Sequence, residues 1–98
     1  MAAVTLTLGV PKRETLSSTS NQSRRVVLPG TPCWLRIFSA SDCYLELKDV
    51  TDNAALGTDY ETILANTTAV RRLAQSVVGV AGAAASQVVE LTAFSSEG

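Results

Sequence analysis

The residues whose types bear first on chemistry are two cysteines, Cys33 and Cys43, and the carboxylates Asp49, Asp52, Asp59 and Glu61. Histidine, the commonest general base, is absent from the sequence. A serine or cysteine nucleophile would then need a lysine or a carboxylate to activate it. The only lysines, Lys12 and Lys48, stand in no catalytic pattern. Paired carboxylates support glycoside hydrolysis, but a chain of 98 residues leaves little room for a substrate cleft. Asp49-x-x-Asp52-Asn53 followed by Asp59 offers hard oxygen ligands of the kind Ca²⁺ takes. The run departs from the EF-hand loop and reads as a solvated turn. Two thiols without histidine do not make a zinc site, and Gly79-x-x-Gly82 is too short a glycine pattern to cradle phosphate. No catalytic, metal or cofactor-binding residue is assigned, and the expectation is a protein that is not an enzyme. The thiols alternate with apolar residues. They read as inert and buried, free in a reducing cytoplasm, although a disulfide is conceivable if they fall on neighbouring antiparallel strands.

Composition narrows the field further. Hydrophobic residues make up 46% of the chain, as in an ordinary folded domain. Charged residues are only 17%, against about a quarter in a typical domain. That leaves open a surface partly covered by a partner or one that is simply rich in Ser and Thr. Aromatics are 5%, so the core must rest on Val, Leu, Ile and Ala. Basic residues fall in scattered pairs, Lys12–Arg13, Arg24–Arg25 and Arg71–Arg72, and the net charge is −1. Nucleic acid needs a basic face, so it is not an expected partner. No apolar run approaches the roughly 20 residues of a membrane helix. The start of the chain lacks a basic segment followed by an apolar one, so cytoplasmic synthesis without a secretion signal is expected. The sequons at Asn21 and Asn66 read as unmodified turn residues.

The elements that must position these residues are strands. Val4-Thr5-Leu6-Thr7-Leu8 alternates with period two. Residues 9–23 then read as a flexible loop or arm, because Ser17 to Ser23 cannot line a core. Arg24 to Leu28 is a strand closed by the Pro29-Gly30 turn. In Cys33 to Phe38, Cys33, Leu35 and Ile37 take the core face. Trp34, Arg36 and Phe38 take the other, an aromatic and arginine strip unusual for a solvent face. Cys43 to Lys48 alternates cleanly, with Tyr44, Glu46 and Lys48 outward. Tyr60 to Leu64, Ala69 to Leu73, Ser76 to Ala81 and Gln87 to Phe94 complete the set, and residues 95–98 read as a frayed tail. About eight short strands at a spacing of roughly ten residues predict an all-β sandwich or barrel. Residues 1–98 are expected to form one domain, an antiparallel β-sandwich or jelly-roll. Its thin core would gain from association with copies of itself or with a larger partner.

Arg25-Val26-Val27-Leu28-Pro29-Gly30-Thr31-Pro32 leading into Leu35-Arg36-Ile37-Phe38, and Tyr60 to Thr68 followed by an apolar strand and an Ala/Gly-rich turn, resemble small structural proteins of tailed bacteriophages. The resemblance covers residues 24–94 and rests on turn and strand patterns. It implies a β-sandwich or jelly-roll virion component that decorates or cements the capsid, or sits at a head-fibre base, connector or tail. It also implies a homo-oligomer, with a trimer favoured, and as partners the major capsid protein or other virion proteins. Cys33-Trp34 departs from the small polar residues usual there, and no functional residue is carried over.

The expected function is therefore capsid decoration, binding the assembled shell after synthesis in the host cytoplasm. The candidate contacts are Arg13, Arg24, Arg25, Trp34, Arg36, Phe38, Arg71 and Arg72. An alternative of another class is a carbohydrate-binding module stacking sugars on Trp34, Tyr44 and Tyr60.

Overall fold

A computed structural model describes residues 3–95, and these hold ten strands and no helix. The strands are β1 (Val4–Thr5), β2 (Lys12–Thr15), β3 (Gln22–Val27), β4 (Cys33–Ser39), β5 (Cys43–Glu46), β6 (Ala54–Ala55), β7 (Glu61–Ile63), β8 (Ala69–Leu73), β9 (Val77–Gly82) and β10 (Val88–Ser95). They make two sheets. One is four-stranded in the order β2-β10-β4-β8. The other runs β1-β3-β9-β5-β7, with β6 also on β3. Every pairing is antiparallel except β1 with β3. Because β9 takes one edge of β3, β6 and β1 share the other, beside Gln22–Ser23 and Val26–Val27 respectively.

Period-two alternation places one face of each sheet inside. Leu35 and Ile37 on β4 stand opposite Ala93 and Leu91 on β10. Val26, Val78, Val80, Cys43 and Leu45 line the inner side of the other sheet, and residues of both sheets join in one buried cluster. This is a sandwich-like layering around a single core. The two cysteines are free and buried. They lie in different sheets, Cys33 on β4 and Cys43 on β5.

The segment expected as a free arm is mostly built into the sheets. Lys12 to Leu16 runs antiparallel to β10, with Val89 opposite Glu14 and the Leu16 N–H donating to the Gln87 carbonyl at 2.7 Å. Ladder bonds are made by the backbone, so β2 needs no apolar side chains to join the sheet. Its inward positions are Lys12 and Glu14, 3.6 Å apart, at the sheet's edge. The serine run is satisfied locally: Ser17 is buried and donates to Gln22 Oε1 at 2.9 Å. Ser95 closes β10, and the remaining tail, residues 96–98, lies outside the described residues.

The strand expected to run to Lys48 ends at Glu46, and segment 47–59, with the run from Asp49 to Asp59 that reads as a turn, folds over the outer face of the larger sheet. Gly79 on β9 makes room for it. A Cβ there would stand 3.0 Å from both γ-carbons of Val50. Beneath the loop Glu46 is 1% exposed, although its place on the strand is outward. Its carboxylate accepts from the Ser23 hydroxyl and from the Gly57 N–H, and lies 3.6 Å from Lys48 Nζ. No helix among the described residues is long and apolar enough to cross a membrane.

Candidate functional site

The four-stranded sheet has one uncovered face, and register assigns its residues row by row. Arg72 on β8, Trp34 on β4 and Phe94 on β10 stand side by side. The next row is Val70, Arg36 and Thr92. The third is Phe38, Glu90 and Arg13. Trp34 is 37% exposed, Phe94 42% and Val70 46%, so large apolar groups meet solvent together. Monomers seldom leave such side chains contiguous and open, and aromatics with arginine are the types enriched in protein contacts. A shallow depression of about 250 Å³ lies at one end of this face, lined by Arg13, Phe38, Ser39, Ala40, Val88 and Glu90.

Charge on the face is unbalanced. Arg13 pairs with Glu90 at 3.2 Å. Arg36 and Arg72 have no carboxylate partner among the described residues. Five of the expected contact residues, Arg13, Trp34, Arg36, Phe38 and Arg72, thus share one surface.

The other three are elsewhere. Arg24, expected at a contact, is 5% exposed and faces inward on β3. Its Nε donates to Asp52 Oδ1 at 2.8 Å and its Nη1 to the Thr15 carbonyl at 3.0 Å, tying β3 to β2 of the opposite sheet. A guanidinium buried and paired this way is not presented to a partner protein. Arg25 lies on the outer face of the larger sheet and donates to Asp49 Oδ1 at 2.9 Å. That bond keeps the Asp49 carboxyl below its ordinary range and raises the guanidinium. Arg71 points inward at the β8 edge and reaches Glu61 on β7, its Nε 2.9 Å and 3.0 Å from the two carboxylate oxygens. The pair bridges the open edges of the two sheets, and Arg71 holds Glu61 below the usual glutamate range.

Sequence reasoning missed Phe94, Val70 and Glu90 as members of the face. The signal was available, because each alternates with an inward residue on its strand. Contact by strand addition at the edges of the smaller sheet is disfavoured by the geometry. The inward charges Lys12, Glu14 and Arg71 on β2 and β8 guard both edges of the smaller sheet against strand addition.

The remaining candidates do not assemble a reactive centre. Burial pushes the Cys43 thiol up to about 11, with Asp42 adding to it, and raises that of Cys33. Asp49 and Asp52 are engaged by arginines, and no cluster of three or more Cys, Asp or Glu side chains among the described residues could hold a metal ion. The three aromatics of the sugar-binding alternative do not share a face. Tyr44 and Tyr60 meet edge to face at 4.9 Å on the larger sheet, while Trp34 is on the smaller one. Comparison with family models, curated proteins and solved structures found no match for this chain.

Proposed function

We propose that this chain is a non-enzymatic structural protein of a tailed-phage virion, a decoration or cement protein that docks on the assembled head through the outer face of β2-β10-β4-β8. The observation that carries this reading is the exposure of Trp34, Phe94 and Val70 in adjacent rows on one face of one sheet. Strand order supports it. With β1 and β6 set aside, the pairs β2·β10, β3·β9, β4·β8 and β5·β7 are those of one long hairpin folded back on itself. Those pairs support reading the sandwich as a jelly-roll, an arrangement that viral capsid and lectin domains use. Fold alone does not assign function. The sequence resemblance to phage structural proteins supplies the choice of partner, and the homo-oligomer, a trimer, belongs to the same reading.

Docking of this kind stabilises the shell by mass action on the assembled state. The test is co-sedimentation with empty shells and with unassembled capsid subunits. Binding to shells alone is expected, with Trp34→Ala weakening it by roughly 2 kcal/mol as a central aromatic anchor. Equal binding to shells and subunits would overturn the decoration reading.

A further inference from the structure

We infer that this face selects a protein partner presenting carboxylates beside an apolar strip, with Arg36 and Arg72 as the residues that determine the choice. The inference rests on the docking role proposed above and specifies its chemistry. Arg72 and Arg36 occupy adjacent rows on β8 and β4, beside Trp34 and Val70 respectively. Every other arginine with a described ion pair meets a carboxylate of this chain: Arg13 meets Glu90, Arg24 Asp52, Arg25 Asp49 and Arg71 Glu61. These two are left without one among the described residues. An apolar partner surface laid over them would strip water from two guanidinium groups and return nothing. A partner with carboxylates at that position satisfies them, and guanidinium forks match carboxylates bidentately. A second copy of the chain, face to face, would oppose like charges, because three arginines face a single carboxylate here. Charge complementarity therefore favours an acidic partner over self-association.

The chain has one tryptophan, so intrinsic fluorescence reports this face directly. The full chain is titrated with short peptides in which leucine alternates with glutamate, glutamine or lysine. The expected result is a blue shift of Trp34 emission with the glutamate peptide and none with the lysine peptide. The double variant Arg36→Gln, Arg72→Gln should weaken the glutamate peptide about tenfold, and added salt should weaken it further. If glutamine and glutamate peptides bind alike and the double variant changes nothing, the arginine inference is overturned while the docking face stands. If no peptide moves the emission, the arginine inference is overturned, and the docking role is judged separately by co-sedimentation with shells. A shift that grows with protein concentration alone would give the face to a second copy and overturn the acidic partner.

Discussion

Removing the Arg24 side chain would take from Asp52 its charge partner, leaving it only the Arg25 N–H and the Asn53 amide, and would free the Thr15 carbonyl. The arginine side chain is 6% exposed and that of Asp52 12%, so neither is rescued by water. Arg24→Met should cost about 3 kcal/mol in urea denaturation, the scale of a broken buried ion pair. Arg72→Gln, at an exposed unpaired site, should stay within about 0.5 kcal/mol. The Glu61–Arg71 pair is weaker, because its side chains are 38% and 41% exposed. Its sign with pH is nonetheless fixed. The folded-state Glu61 carboxyl is lowered by Arg71, so its contribution is fully present above the unfolded glutamate value of about 4.3. It is lost as pH falls through the lowered folded value. The stability gap between the native chain and Arg71→Gln should be constant near neutrality and close on acidification below that range. A gap that widens at low pH would contradict this.

At the scale of elements, Gly79 and Val50 hold the 47–59 loop on the larger sheet. A methyl at Gly79 meets both Val50 γ-carbons at 3.0 Å, so Gly79→Ala should destabilise by about 1–3 kcal/mol through overpacking. Adding Val50→Ala should recover part of that loss, a coupling that a double-mutant cycle measures. Strands with contrasting faces were legible from the sequence. β4 alternates cleanly, and its assigned inner face is the buried one. β2 was not legible, because its inward residues are charges that serve an edge, and period-two hydrophobicity is blind to such a strand. Two-residue β6 carries no pattern at all. Glu46 does take the outward place that alternation gives it, but its burial was not legible, because the loop that covers it is irregular and its path is set by tertiary contacts. Arg24 was a different kind of miss. Alternation puts it on the face of Val26, and the signal was passed over in favour of pairing it with Arg25 as a basic patch.

For the whole molecule, size and charge act together. A domain of 98 residues buries a limited core, and binding that favours the folded state adds to its stability. Charged residues are few, and most of them are neutralised within the chain by the ion pairs described above. The outer side of the larger sheet carries its own 47–59 loop, while the smaller sheet offers a face on which exposed Trp34, Phe94 and Val70 lie among arginines, two of them without a carboxylate partner among the described residues. On the smaller sheet, charged edges and an open face direct contact with a different protein to the face. The low aromatic content does not weaken this, since Trp34, Phe38 and Phe94 gather on that one side.

The most direct measurement is imaging of purified particles to locate the chain and its orientation. The expected result is many copies spread over the head shell, each with the Trp34, Phe94 and Val70 face against it. Copies confined to one vertex or to the tail would make it a connector, fibre-base or tail component. An exposed Trp34 face on a bound copy would contradict the docking surface itself.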